Sequence, residues 1–262
     1  MIGSEPPAWG EPTIEVKAEA DLAADAARSL AEALIAAVAR RGRADWGTTG
    51  GSTPVPIYRH LTTSALRGRV PWDRVHVWWT DDRFVRRDDP LSNRRPFDEV
   101  MLGPKGVPLP EANVHGMPID EAIEWGESAH SVAAGYEADL RAAPLQVDRA
   151  GFPVLDVVTV GVGPDGHVFS VFPGSPLFDS RAWVSAVPAP QHVEPHVARI
   201  SMSPYVLSAA EVVLVTILGA AKSQIVAELL GRDRDPRRLP AQLARDRNAR
   251  WFLDAGSAHE LP

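Results

Sequence analysis

Cysteine is missing from this chain altogether, which excludes disulfides and thiolate metal sites while saying nothing about compartment. Long apolar runs are missing too. The longest, Val154 to Gly163 and Val212 to Ala221, contain glycine and are too short to span a bilayer. Met1 to Gly10 carries acidic residues and prolines where a secretion signal would have a positive end and an apolar centre. Positive charge is in deficit, with 27 Lys and Arg against 34 Asp and Glu and a net charge of -7. No general field therefore draws the chain to nucleic acid or an anionic membrane. These absences predict a cytoplasmic protein with neither a membrane nor a nucleic acid as partner, and they require any bound anion to be held by local cations.

What is present is ordinary globular material, 262 residues with 45% hydrophobic and 23% charged. Strand and helix patterns alternate along it. Thr13 to Ala18 reads as a strand. Ala20 to Arg41 reads as an amphipathic helix, with Leu22, Ala26, Leu30, Leu34 and Val38 on one stripe and Gly42 after its basic last turn. Further strands are predicted at Ala44 to Thr48, Val75 to Trp79, Val154 to Val160, Trp183 to Val187, Ala198 to Met202, Val212 to Leu218 and Ala249 to Leu253. Helices are predicted after Pro54, at Phe97 to Leu102, Ala122 to Ala142, Gly219 to Leu230 and Leu239 to Arg245, with a linker at Pro144 to Pro153. The pattern predicts an α/β fold: an open, mostly parallel twisted sheet with helices on both faces, forming a single domain over residues 1–262.

The organising stretch is Val154 to Pro176. Its β-branched start suits a strand buried on both faces, and Gly161, Gly163 and Gly166 then turn the backbone around Asp165 and His167. A base and an acid thus arrive at a strand's carboxyl end, where open α/β sheets bind ligands. The segment Gly161-Val-Gly-Pro-Asp-Gly166 also matches a dinucleotide fingerprint, but Pro173 and Pro176 interrupt the helix that motif needs. The acidic residue expected after the next strand is missing as well. Ser170 lies in no G-x-S-x-G elbow, so it is not read as a nucleophile. His192 and His196 are separated by Pro195, which breaks the helical spacing that a zinc pair would use.

Two other strand ends carry polar chemistry. Gly47-Thr-Thr-Gly-Gly-Ser-Thr-Pro54 runs from a strand into a helix start, where free N–H groups and the hydroxyls of Ser52 and Thr53 suit an anion. It lacks the G-K-[ST] ending of a Walker loop. Thr80 to Val85 brings Asp81, Asp82 and Arg83 to the end of another strand. Lys222 falls in a helix's first turn, where the dipole disfavours a cation unless an anion joins it.

Taken in order, Gly50-Gly-Ser-Thr-Pro54, Asp81-Asp-Arg-Phe-Val85 with Ser92-Asn93, Gly161-Val-Gly-Pro-Asp-Gly-His167 with Ser170 and Phe172-Pro-Gly174, and Gly219-Ala-Ala-Lys222 resemble the motifs of 6-phosphogluconolactonases. The resemblance covers nearly the whole chain, and that family is similar in fold to the glucosamine-6-phosphate deaminases and isomerases. It implies hydrolysis of 6-phospho-D-glucono-1,5-lactone to 6-phosphogluconate, in the oxidative pentose phosphate pathway, with no metal or organic cofactor. In that scheme His167, Asp165 and Arg83 are the catalytic candidates: base, support of the base, and oxyanion stabiliser, a role the Gly161 to Gly166 amides share as candidates. Gly50, Gly51, Ser52, Thr53, Arg199 and Lys222 hold the phosphate, and Asp81 and Asn93 meet sugar hydroxyls or shape the loop. The expected partner is a small phosphorylated lactone, bound by a monomer or a small homo-oligomer. Departures stand at Asp82, where the family usually has Glu, at Arg94, where it has Tyr, and at Phe169, where it has a small residue. The alternatives left open are an amino-sugar-phosphate deaminase or isomerase and a non-catalytic sugar-phosphate sensor.

Overall fold

Strand β1 (Thr13–Lys17) leads into helix α1 (Glu19–Arg41), which ends where Gly42 takes a left-handed φ of 75° and its N–H caps the Val38 carbonyl. The computed structural model describes residues 11–51, 53–231, 233–246 and 248–261. Strand β2 (Ala44–Thr48) is buried at every position, as a strand covered on both faces must be. After α2 (Pro54–Leu61) come β3 (Val75–Trp79), β4 (Asp81–Arg83), α3 (Arg95–Met101) and β5 (Val114–His115). Then follow α4 (Ile119–Glu124), α5 (Ala129–Ala142), a small hairpin of β6 (Gln146–Val147) and β7 (Pro153–Val154), and β8 (Val157–Val160). The chain closes through β9 (Val184–Val187), β10 (Arg199–Met202), α6 (Tyr205–Ala209), β11 (Val212–Ile217), α7 (Ser223–Leu230) and β12 (Ala249–Asp254).

Seven strands make one sheet in the order β1-β12-β11-β8-β2-β3-β5, and every neighbouring pair is parallel. The predicted open α/β sheet is thus the observed one. From β2 the chain steps outward through β3 to β5, and from β8 it steps the other way through β11 to β12. The order therefore reverses between β2 and β8, and a crevice opens at their carboxyl ends. Helix α1 lies across β2, β8, β11 and β12. Its buried stripe, Leu22, Ala26, Leu30 and Leu34, is the predicted one. On the other half of the sheet Trp46, Tyr58, Trp79 and Phe97 pack edge to face or, for Trp46 on Phe97, tilted, with ring centroids 5.1–6.0 Å apart. Such pairs add to stability beyond the area they bury.

Several expectations need correction. The strands at 184–187 and 199–202 do not continue the parallel alternation; β9, β10 and β4 form a separate antiparallel sheet in the order β4-β10-β9. The helix expected over 122–142 is α4 and α5, broken where Gly126 takes φ 69° and where the Ser128 hydroxyl accepts the Ser131 N–H at 3.3 Å. The stretch 154–160 is not one strand. Asp156 accepts the Asp45 N–H at 2.8 Å and faces Arg40 and Arg41, which separates the β7 hairpin from β8. The 144–153 linker contains that hairpin. A 3-10 turn, Ala220–Lys222, precedes α7, and residues 240–244 are a 3-10 helix rather than an α-helix. Thr53 makes no side-chain cap to α2, and Ser52, the other expected cap, lies outside the described residues, as does Met1 to Gly10.

Candidate active site

The glycine loop after β2 is shaped by Asn93. A Cβ placed on Gly50 would lie 1.9 Å from Asn93 Oδ1, so no larger residue fits there without displacing that amide. Gly51 then takes φ 94°, which glycine adopts at no steric cost. Thr53 and Pro54 follow at the start of α2, leaving the loop's amides at the mouth of the crevice.

The loop after β8 closes on itself. The Gly163 N–H donates to the His167 carbonyl at 2.9 Å, and the His167 ring lies so near that a Cβ on Gly163 would come within 2.0 Å of Nδ1. That ring is half-buried and contacts Asp165 through Nδ1 at 2.5 Å from Oδ1. A carboxylate only accepts, so Nδ1 carries the proton and Nε2 keeps the lone pair. Burial works to raise the Asp165 pKa, but the hydrogen bonds from the His167 ring and backbone N–H outweigh it and hold the carboxyl well below the usual range. The other Asp165 oxygen meets His192 Nε2 at 3.3 Å.

Where β3 bends into β4, Asp81 is buried as a hub. Its Oδ1 accepts from Thr49 Oγ1 at 2.8 Å and Asn93 Nδ2 at 3.1 Å, and its Oδ2 accepts from Ser170 Oγ at 2.8 Å. Three loops are tied together through this carboxylate. Asp82 ties the Asn93 loop to β4 a second time, because its Oδ1 accepts the N–H groups of Arg83 and Asn93 at 2.7 and 2.8 Å. Burial pushes the Asp82 carboxyl up to about 7, against the pull of those amides and with help from the Asp81 charge.

Antiparallel pairing of β4 with β10 sets Arg83 directly opposite Arg199. Like charges in that register repel. Arg83 Nη1 donates to the Leu91 carbonyl at 2.7 Å and Arg199 Nη2 to the Pro195 carbonyl at 3.0 Å, yet the Nε of each is buried without a partner. Burial, with the charge of Arg83 added, lowers the Arg199 pKa, and Asp81 offsets part of that. Lys222, half-buried, donates to the Val162 carbonyl at 2.9 Å, and burial lowers its pKa against the pull of Asp165. An anion joining these groups would offset the cost of burying them.

One cleft of about 230 Å³ joins these parts. Gly50, Gly51 and Thr53 line it on one side, His167 on another, and Asp81, Arg83, Asn93, Arg199 and Lys222 also reach it. Every predicted site residue among the described ones therefore gathers here except Asp165, which stands behind His167 rather than in the lining. Thr49, Phe169 and His192 were missed. Thr49 adjoins the glycine loop and was legible as its hydroxyl neighbour. Phe169 directly follows the motif and was noted only as a departure. His192 had no local signal, since it reaches Asp165 across 27 residues of chain. Of the other departures, Asp82 lies behind the cleft, and Arg94 turns to Asp98 and the Trp79 ring instead of lining it.

The fold and the place of the cleft define an open-sheet α/β protein whose ligand crevice sits at the switch point of its strand order. The chain belongs to the family of glucosamine-6-phosphate isomerases and 6-phosphogluconolactonases, whose sequence model matches residues 17–253. It is 33% identical over 253 residues to a 6-phosphogluconolactonase of Mycobacterium tuberculosis, covering 95% of this chain and 98% of that one. Identity to the Caulobacter vibrioides 6-phosphogluconolactonase is 35% over 222 residues, covering 82% and 84%. Among solved structures, the 6-phosphogluconolactonase of Trypanosoma brucei superposes with a TM-score of 0.82 at 29% identity, covering 97% of this chain and all of that one. A monomeric glucosamine-6-phosphate deaminase shares the fold, with a TM-score of 0.75 at 16% identity over 94% of this chain and 99% of that one.

Proposed function

We propose that this chain hydrolyses 6-phospho-D-glucono-1,5-lactone to 6-phosphogluconate, the reaction named by its 6-phosphogluconolactonase relatives. One observation carries the reading: an oriented histidine base and a set of under-partnered cations share a single cleft. The substrate's phosphate, carrying about -1.5 to -2 charge at neutral pH, lies on the Gly50 and Gly51 amides with Thr53, Lys222 and Arg199. His167 Nε2 takes a proton from a water as its oxygen attacks the lactone carbonyl. The carbonyl electrons move to an oxyanion, stabilised by Arg83 or by amides of the Gly161 to Gly166 loop. When the tetrahedral intermediate collapses, the ring C–O bond breaks and the ring oxygen takes the proton back from Nε2. Asp165 holds the ring in the productive tautomer throughout. Asp81 orients Thr49, Asn93 and Ser170 rather than meeting the reacting atoms.

The test is proton release on adding freshly generated 6-phosphogluconolactone, with spontaneous hydrolysis subtracted and unphosphorylated gluconolactone run in parallel. An excess rate confined to the phosphorylated lactone and lost in His167→Ala is expected. Ammonia release from glucosamine 6-phosphate without lactone hydrolysis would replace this reading with the deaminase. The reaction belongs to the oxidative pentose phosphate pathway and needs no cofactor. No helix among the described residues is long and apolar enough to cross a membrane, and we place the reaction in the cytoplasm.

A further inference from the structure

Val168 to Val171 is a tight turn closed by the Val171 N–H on the Val168 carbonyl at 2.9 Å, and its second residue is Phe169. Phe169 has φ 54°, and it is the sole non-glycine with positive φ among the described residues. Ser170, the third residue, is not in that region, so the turn places its positive φ at the position where turns of this kind take glycine. A bulky side chain there is strained, and strain of this kind persists only where the surroundings enforce it. They do so here. Val168 and Val171 are fully buried on either side, Ser170 Oγ is bound to Asp81, and Ser170 N–H donates to Ser201 Oγ at 3.3 Å.

Phe169 is among the residues that line the cleft and is only 5% exposed, so its side chain is packed into the wall and no more than an edge of it reaches the open space. Apart from Phe169, Val162 is the only apolar side chain among the described lining residues; the rest are glycines, hydroxyls, amides and charged groups. Sugar-sized ligands have a C–H face as well as a polar rim, and small-molecule sites combine apolar or aromatic walls with a few polar groups that fix orientation. We infer that Phe169 is a specificity-determining residue. The edge of Phe169 at the cleft wall meets the C–H face of the substrate's lactone ring, and the strained turn holds it there while the polar groups take the phosphate and hydroxyls. This inference rests on the lactonase reading of the cleft.

The test compares wild type, Phe169→Ala, Phe169→Gly and Phe169→Leu on phosphorylated and unphosphorylated six-membered lactones, with a thermal melt of each. Phe169→Gly suits the positive φ but empties a buried site, so it and Phe169→Ala are expected to melt below wild type, with Phe169→Leu, which keeps most of the volume, losing least. KM for the phosphorylated lactone should rise roughly tenfold in the Ala and Gly variants, with kcat within about twofold, and Phe169→Leu should fall between them and wild type. Folded Ala or Gly variants with wild-type KM would overturn the inference. So would a fall in kcat at constant KM, which would place Phe169 in the support of His167 instead. Absence of lactone hydrolysis in the wild type would overturn the functional reading itself, a result separate from either of these.

Discussion

His167 and Asp82 show how one side chain's surroundings set its task. With Nδ1 committed to Asp165, the His167 ring has one basic nitrogen left. Replacing it by Gln keeps a polar side chain but removes the base, so His167→Gln is expected to lower turnover roughly 100- to 10,000-fold. Single-turnover kinetics with the phosphorylated lactone measure this directly. Asp82 is a different case, because it is buried and bonded to backbone amides rather than to a cation. An unfolded chain leaves it near about 3.9, whereas the folded chain holds its proton up to about 7. Asp82 therefore favours the folded state at low pH, and that contribution is lost as pH rises through about 7. In Asp82→Asn the amide oxygen still accepts both N–H groups but nothing ionises. Its stability relative to wild type should increase by about 1 kcal/mol between about pH 6 and about pH 8 in denaturant titrations. An unchanged difference would mean that Asp82 is ionised throughout.

Among the elements, the β2 to β3 pair carries the site at one end and a charge cluster at the other. Asp45, fully buried at the amino end of β2, is bonded to Arg41 and Arg43 and accepts the Trp78 indole N–H at 2.9 Å. Asp156, just before β8, takes Arg40 and Arg41 and the Asp45 N–H. The cluster thereby locks the register of β2 on β8, the two strands that flank the crevice. Asp45→Ala would leave guanidinium groups and an indole N–H without their partner, at a cost of about 3–5 kcal/mol. Equilibrium unfolding checks it. A loss under about 1 kcal/mol would show that water replaces the carboxylate. Active-site kinetics should change little in whatever fraction stays folded, since the cluster is at the opposite end of the strands.

For the molecule as a whole, the cationic floor of the cleft stands within a chain of net charge -7. Substrate attraction is therefore local, and the acidic remainder opposes it at long range. Lys222→Met is expected to raise KM for the phosphorylated lactone by about tenfold or more while kcat changes less than about threefold, the signature of a lost binding contact. Added salt acts in the same direction. Raising ionic strength from about 0.01 M to about 1 M shortens the screening length from about 30 Å to about 3 Å. KM for the phosphorylated lactone should then rise, while that for the unphosphorylated lactone stays level. A parallel rise in both would assign the effect to something other than the phosphate.

Much of this protein was legible in its residues before any fold was known. β-branched runs such as Val157 to Val160 are strands because only a doubly covered sheet buries them, and Leu22 to Leu34 form a helix face because their spacing matches its turn. His167, Asp165, Gly50 and Lys222 were readable because each sits at a local punctuation point, a glycine turn or a helix start. Distance along the chain hid the rest. No local pattern shows that Val184 to Val187 and Arg199 to Met202 leave the parallel sheet, since alternation does not record which partner a strand will choose. The pairing of Arg83 with Arg199 is a register set across 116 residues, and the Asp81 bond to Ser170 spans 89. Local conformation follows from local sequence because its forces act between neighbours in the chain, whereas the cleft's charge balance depends on contacts that exist only once distant segments have packed together.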